Sequence, residues 1–261
     1  MISTIFIMFA EPSPVGYPAE MIMWMYAKRQ LNDEFKIDLG KDVPRVYKEF
    51  DRFKTAYYEH PETLSENDKE IMSLISDGRQ YNPNLIPFDK LVTVFGVSNK
   101  NLSVMADMLR KLGLKVENSL ELKERLSKVI YWAEKYSPES IININQQPNE
   151  EYIKEMSKEQ KERILVFVDK INDNMSEEEI MQIIYSIPKT SPDEEVTPEL
   201  KARQKEVFKD LYNLLISSDR GPTLSTLVKA VGTEKVRELL EPLRKKQIEL
   251  PENPSDNTDA R

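Results

Sequence analysis

Apolar residues recur at helical spacing along most of the chain. Downstream of Ser119 they step by three or four positions and form one stripe: Leu122, Leu126, Val129, Ile130, Ala133 and Tyr136. This spacing places the side chains on one face of a helix that begins near Ser119. A similar stripe runs from Val207 to Leu215, whereas the alternation typical of strands is scarce. The pattern predicts an all-α protein, a multi-helix bundle of about ten helices.

Capping signals mark several of the predicted helix starts. Ser137-Pro138-Glu139 and Thr197-Pro198-Glu199 each place a hydroxyl side chain before a first-turn proline and an acid. Ser176 and Glu179 have the spacing of a capping box. Breaks between helices are predicted in three stretches, residues 78–83, 188–198 and 217–222.

The residue inventory excludes several kinds of chemistry. The 261 residues include no cysteine, seven glycines and one histidine, His60. A zinc site, a cysteine nucleophile and a Ser-His relay therefore lack parts, and no glycine-rich phosphate loop occurs. His60 lies at a predicted helix end, where a solvated or capping role is expected. The apolar run from Ile5 to Ala10 is too short to cross a bilayer, so we expect no membrane span and a cytoplasmic location.

Positive charge is concentrated in the final third of the chain. The formal net charge is −8, but eleven Lys and Arg residues stand against six acids between Lys201 and Lys246, a local net charge of +5. A basic surface of this kind is the electrostatic requirement for binding phosphates. An equally valid interpretation is that these cations are ordinary solvated side chains of amphipathic helices.

Five separated segments carry a more specific pattern. In chain order they are F-K-I-D-L-G from Phe35 to Gly40, K-E-F-D-R from Lys48 to Arg52, I-P-F-x-x-L from Ile86 to Leu91, W-x-x-x-Y-S-P-E from Trp132 to Glu139, and F-K-D-L-Y followed by R-G-P-T-L-S between Phe208 and Ser225. They resemble, in the same order, segments of class I lysyl-tRNA synthetases, which read F-x-I-D-L-G, D-E-Y-D-R, V-P-F-x-x-L, W-x-x-x-Y-A-P-E and F-x-x-L-Y-x-x-L-L-G-x-x-R-G-P-R-L-G. The resemblance covers about residues 20 to 242.

The resemblance implies a fold and a partner. The corresponding half of the family is C-terminal to the catalytic domain and is similar to the anticodon-binding helical cage of the class I lysyl and glutamyl enzymes. It grips the anticodon stem and loop, so the implied function is binding of lysine tRNA in translation. The HIGH-type and KMSKS-type motifs of the family do not occur in this sequence. We therefore expect no cofactor in this chain, because ATP and Mg²⁺ would belong to the catalytic domain, and we expect the chain to be inactive alone as a ligase.

Six cations of the final third are candidate RNA contacts: Lys201, Arg203, Arg220, Lys229, Lys235 and Arg237. Arg220 precedes Gly221-Pro222, and Pro222 is predicted in the first turn of the next helix, whose free N–H groups favour an anion. The family pattern has Arg and Gly where this chain has Thr223 and Ser225, which puts RNA affinity in doubt. Reversing Arg220 and Arg237 together is expected to weaken lysine-tRNA binding by about tenfold without changing stability.

The aromatic pairs are predicted to serve the core. Trp132 and Tyr136, like Phe208 and Tyr212, are four residues apart on apolar stripes, so core packing is favoured over base stacking.

The sequence predicts four segments and leaves three functions open. Residues 1–40 form a connecting segment, 41–190 a helical domain, 191–248 a C-terminal helical subdomain and 249–261 a disordered tail. The functions are a tRNA-binding module, the non-catalytic subunit of a split lysyl-tRNA synthetase, and a degenerate scaffold for protein interactions. In the second, a separate catalytic chain would dock on residues 1–40, where Met21, Met23, Trp24 and Met25 continue an apolar set that starts at Ile5.

Overall fold

The computed structural model describes residues 16–29, 37–76, 78 and 80–245. The apolar run from Ile5 to Ala10, Phe35, Lys246 and the predicted tail at residues 249–261 all lie outside the described residues.

Helices account for the regular structure of the described part of the chain, in which no strand occurs. In chain order they are α1 (Ala19–Ala27), α2 (Val43–Glu59), α3 (Glu66–Ile75), α4 (Phe88–Val97), α5 (Leu102–Lys111), α6 (Leu120–Lys135), α7 (Glu150–Glu155), α8 (Lys158–Lys170), α9 (Glu177–Ser186), α10 (Pro198–Ile216), α11 (Leu224–Val231), α12 (Thr233–Leu240) and α13 (Pro242–Lys245). The all-α prediction is confirmed. None of the helices in these ranges is long and apolar enough to cross a membrane.

The first compact unit is built around α4. It extends to Ile144 and includes Gly221–Val231, so that α11 joins α1–α6. Helix α4 packs against α2, α5, α6 and α11, and eight of its ten residues are buried, including Leu91, Val94 and Phe95. Its apolar all-round sequence explains this central position, because an amphipathic helix would have left one face in water.

The second compact unit is built around α10. It comprises Asn145–Arg220 and resumes at Gly232. Helix α10 packs against α7, α8, α9 and α12, and its stripe of Val207, Leu211 and Leu214 is buried. The stripe predicted from the sequence is therefore the core face of this helix.

The helix starts predicted from the sequence carry side-chain caps, with one exception. The hydroxyls of Ser119 and Thr197 accept hydrogen bonds from Leu122 and Leu200, and Ser176 with Glu179 forms a complete capping box. The predicted helix at Ser137 is wrong, because Pro138–Ser140 forms only a single 3₁₀ turn. No apolar stripe with helical spacing follows this turn in the sequence, so a helix starting here would have no apolar face to pack against the core.

The compact units have boundaries other than those predicted. Within the predicted connecting segment, the described helix α1 does not stand apart, because it packs against α2 and α3. Trp24 is buried, with its ring centroid 5.2 Å from that of Phe50 and 5.8 Å from that of Phe53. The predicted exposed apolar set is thus divided: Met21 and Trp24 belong to the core, whereas Met23 remains 47% exposed.

Gly96 lies close to the backbone of Ile142 in the first unit. A Cβ atom at Gly96 would lie 2.6 Å from the backbone N and 2.8 Å from the backbone O of Ile142. Alanine usually stabilises a helix interior relative to glycine, but backbone atoms cannot move away as a flexible side chain can. We expect Gly96→Ala to lower the free energy of unfolding by about 2 kcal/mol in chemical denaturation.

Gly113 provides the control for that prediction. Gly113 has φ +75°, and a Cβ atom added there would meet no other described part of the chain within 4 Å, so Gly113→Ala tests backbone strain without a clash. Its expected cost is about 1 kcal/mol. A Gly96→Ala protein as stable as the parent would show that α4 can shift away from Ile142.

Candidate nucleic-acid interface

Helix α10 sets the positions of three of the six candidate RNA contacts. It begins after the Thr197 cap and ends at Ser217, which adopts the left-handed conformation with φ 52°. Lys201 and Arg203 lie near its start, and Arg220 follows its end. At 1.5 Å per residue, the two ends of this 19-residue helix are separated by about 28 Å. A single small anion cannot bridge them, whereas a nucleic-acid backbone carries phosphates along its whole length.

At the start of α10, the two candidate cations differ in their partners. Lys201 is exposed and makes no ion pair within the described residues. Arg203 is half-buried and pairs with Glu194. Hydrogen bonds from the Thr190 backbone N–H, the Thr190 hydroxyl and Arg203 hold the pKa of Glu194 below its ordinary value. Arg203 therefore fastens the loop before α10, and Lys201 is the cation available to a ligand.

At the end of α10, a loop covers the last carbonyl groups. The backbone N–H of Asn145 donates to the Leu215 carbonyl at 2.8 Å, and the Asn145 side chain donates to Leu214 at 3.1 Å. Lys235 Nζ reaches the same loop, donating to the Gln146 carbonyl at 3.0 Å.

Lys235 and Arg220 consequently lie toward the same end of α10, but only Lys235 makes an ion pair within the described residues. Lys235 also pairs with Glu238 at 2.8 Å. The Arg220 side chain is exposed and has no ion pair in the part of the chain that the structure describes. Arg220 is therefore the more available of the two for a phosphate.

Arg237 serves the end of α8. Its guanidinium donates to the carbonyl of Ile171, the C-terminal capping residue of that helix. A cation at this place satisfies a terminal carbonyl and complements the helix dipole. Contrary to the expectation from the sequence, reversing Arg237 should therefore lower stability, because an acid there would lose this bond and repel the helix end.

Lys229 belongs to the other compact unit, on α11. The Leu227 N–H donates to the Thr223 carbonyl, and α11 begins at Leu224, so Pro222 precedes the helix and is not in its first turn. Ser225 is buried and Thr223 is exposed. Of the two departures from the family pattern, only Thr223 lies where a ligand can reach its side chain.

The core packing predicted for the aromatic pairs is confirmed for Trp132, whereas Tyr136, Phe208 and Tyr212 are only half-buried. Trp132 is buried, and its Nε1 donates to the Leu39 carbonyl at 2.9 Å and the Gly40 carbonyl at 3.1 Å. Phe208 and Tyr212 are half-buried, with ring centroids 6.5 Å apart, and burial raises the pKa of Tyr212 to about 12.

Asp210 is a buried acid within the second unit. The side chain is 2% exposed; Oδ1 accepts from the Tyr152 hydroxyl at 2.7 Å and from Gln160 at 3.0 Å, whereas Oδ2 has no partner among the described residues. Burial raises the pKa of Asp210, although both hydrogen bonds oppose the shift. The ionised carboxylate therefore weakens the fold at neutral pH.

We expect Asp210→Asn to raise the free energy of unfolding at pH 7. The raised pKa means that, as pH rises above about 4, the unfolded chain releases this proton before the folded chain does. The parent thus loses stability over that range while the variant does not, and the difference should vanish near pH 4 in urea titrations.

Asp219 gives the opposite sign as a control. A hydrogen bond from Asn213 and the charge of Lys209 lower its pKa, so Asp219→Asn should lose stability at pH 7 and not near pH 3. An Asp210→Asn variant that is less stable than the parent by the same amount at pH 7 and at pH 4 would contradict the raised pKa of Asp210.

A cleft in the first unit was not predicted from the sequence. It has a volume of about 490 Å³ and lies between α2 and the start of α4, with Lys48, Arg52 and His60 among its lining residues. The available signal was the four-residue spacing of Pro44, Lys48, Arg52 and Ala56, a second stripe on α2 beside its buried face. His60 is exposed at the end of α2, as the sequence predicts.

Comparison with known proteins gives one consistent result. The chain is 25% identical to the lysine–tRNA ligase of Streptomyces coelicolor over 234 residues, which is 85% of the chain and 40% of the relative. It is 26% identical to the lysine–tRNA ligase of Thermococcus kodakarensis over 227 residues, or 82% of the chain and 41% of the relative. For the lysine–tRNA ligase of Borrelia garinii subsp. bavariensis, the identity is 23% over 231 residues. No protein-family model matches the chain. The chain is thus similar to lysine–tRNA ligases along most of its own length and spans about 40% of theirs.

Proposed function

We propose that this chain binds the anticodon stem and loop of lysine tRNA, as the C-terminal helical module of a class I lysine–tRNA ligase acting in the cytoplasm. The observation that carries the proposal is the similarity to lysine–tRNA ligases over 82–86% of the chain. The all-helical fold agrees with this role. The five motif segments that resemble the family are distributed over both compact units.

The geometry of α10 supports an extended, polyanionic ligand. Lys201 and Arg220 are exposed at opposite ends of this helix, and neither makes an ion pair within the described residues. Phosphate contacts of this kind position a nucleic acid without reading its sequence. The RNA therefore runs along α10 in the proposed complex, with one phosphate contact near each end.

We further propose that ATP, Mg²⁺ and the adenylate-forming chemistry belong to a separate catalytic chain that docks on residues 1–40. The observation in favour is the outer face of α1, where Met23 is 47% and Tyr26 59% exposed. Co-purification from the native cell should recover a chain with the HIGH-type and KMSKS-type motifs. A Met23→Lys variant should recover less of it, because a charge on this face disfavours burial.

An electrophoretic shift with lysine tRNA tests the proposed function. The purified chain should retard lysine tRNA at low salt, and the affinity should fall steeply as salt is added, since each neutralised phosphate contributes roughly −0.7 to −0.9 to the salt slope. The same preparation should show no lysine-dependent ATP–pyrophosphate exchange. No retardation at low salt would favour the degenerate scaffold instead.

A further inference from the structure

The cleft of the first unit is formed by three segments of the chain. One wall is the stripe of Pro44, Lys48, Arg52 and Ala56 on α2. The opposite wall is the start of α4 at Pro87, and His60 lies at the end where α2 gives way to a 3₁₀ turn. Its volume of about 490 Å³ lies within the range of ligand pockets, which is roughly 300–1,000 Å³.

The charge of the cleft is positive at one wall. Lys48 and Arg52 are exposed, make no ion pair within the described ranges, and share one face of α2 because they are four residues apart. The acids that line the cleft are Asp51 and Asp89. Asp51 is neutralised from beneath by Arg125, whose two terminal nitrogens donate to its two carboxylate oxygens at 2.7 Å each. Lys48 and Arg52 therefore make no ion pair with the lining acids among the described residues, and Asp89 at the start of α4 is the acid of the lining that Arg125 does not neutralise.

Hydrogen bonds within the protein connect the segments that form the cleft. Arg125 also donates to the Ile86 carbonyl at 3.3 Å, which ties the segment before α4 to α2 through Asp51. The Tyr81 hydroxyl also contacts the lining residue Thr55 at Oγ1, at 3.1 Å, and Glu59 at 2.9 Å. A site whose walls are fixed in advance loses less conformational entropy when it binds a ligand.

The cleft is lined by both apolar and cationic side chains, and this pairing indicates the chemical class of the ligand. Pro44, Ala56 and Pro87 provide apolar surface, whereas Lys48 and Arg52 provide two donors for an anion. Inorganic phosphate would leave the apolar surface unused, and a purely apolar ligand would leave the cations unused. A nucleotide uses both, because the flat faces of its base pack on apolar surface and its phosphate is charged.

We propose that this cleft binds one unpaired nucleotide, with its base against Ala56 and Pro87 and its phosphate on Lys48 and Arg52. The inference rests on the proposed function in one respect, that the nucleotide belongs to the bound tRNA. A free nucleoside monophosphate has the same chemistry, and binding measurements with both kinds of ligand distinguish the two sources.

Charge reversal tests the phosphate contact. The probes are a fluorescent, 5′-phosphorylated single-stranded pentanucleotide, uridine 5′-monophosphate as competitor, and lysine tRNA. Lys48→Glu/Arg52→Glu should weaken pentanucleotide binding by about tenfold or more. The matched control is Lys41→Glu/Lys111→Glu, which makes the same charge change at two exposed lysines of the same unit that lie outside the cleft, and it should change binding less than about twofold.

Filling the cleft tests the base contact at constant charge. Ala56→Trp should remove pentanucleotide binding, whereas Ala202→Trp, at an exposed position on α10, should not. Inorganic phosphate and uridine should each compete far less effectively than uridine 5′-monophosphate.

The outcomes separate the cleft from the proposed function. Equal losses from both charge reversals, or parent-like binding by Ala56→Trp, would overturn the proposed cleft. Binding of lysine tRNA that no cleft variant affects would overturn the cleft and leave the proposed function intact. Cleft-dependent binding of uridine 5′-monophosphate without any binding of lysine tRNA would support the nucleotide site and overturn the proposed function.

Discussion

Replacing Arg125 with methionine should lower the free energy of unfolding by about 3 kcal/mol. Arg125 is 8% exposed in its side chain and donates to both oxygens of Asp51 and to the Ile86 carbonyl. Removing the guanidinium leaves the Asp51 carboxylate and this carbonyl without those donors in a poorly solvated place. The expected loss is at the lower end of the usual range, because Asp51 remains 28% exposed and can be partly hydrated.

Two further variants identify the cause of that loss. Asp51→Asn/Arg125→Met should regain part of the stability, since no charge is then left unpaired. Lys100→Ala removes an exposed ion pair with Glu134 and should cost less than about 1 kcal/mol. A loss from Arg125→Met as small as that from Lys100→Ala, measured by urea denaturation, would show that the ion pair does not hold the first unit together.

Reversing Lys201 and Arg220 together should weaken lysine-tRNA binding by about tenfold or more. These two cations are exposed at opposite ends of α10 and make no ion pair in the described ranges, so reversal removes phosphate contacts without breaking a bond in the fold. The salt slope of the binding constant should decrease by roughly 0.7 to 0.9 for each lost contact. Circular dichroism and the melting temperature should stay close to those of the parent.

The matched control for this prediction lies in the same compact unit. Lys154 and Lys170 are exposed residues outside α10, and their double reversal makes the same charge change. It should reduce the affinity much less, because it acts only through the screened long-range field. Equal losses of affinity from the two double variants would mean that the RNA responds only to the overall electrostatic field of the unit and that α10 is not the contact surface.

Helix type and core faces could be predicted from the sequence because they depend on local spacing. The stripes around Leu126 and Leu211 and the caps at Ser119, Thr197 and Ser176 all appear in the structure. The signal at Ser137 failed because a cap starts a helix only where an apolar face follows.

The partners of individual cations could not be predicted, because they depend on contacts between residues distant in sequence. Arg237 reaches Ile171, Lys235 reaches Gln146, and Arg203 pairs with Glu194. A count of positive charges treats these residues like Lys201 and Arg220, although of these five only the latter two are exposed with neither an ion pair nor a side-chain hydrogen bond among the described residues. The compact units differ from the predicted segments for the same reason, since α11 joins the first unit from far along the chain.

The affinity of the purified chain for the lysine anticodon stem-loop, compared with the same stem carrying a different anticodon, tests the central claim most directly. Fluorescence anisotropy at fixed salt should give at least about tenfold tighter binding of the lysine stem-loop, because specific contacts add to a phosphate contribution that both RNAs share. Equal affinities for the two stem-loops would contradict the claim that this chain recognises the lysine anticodon.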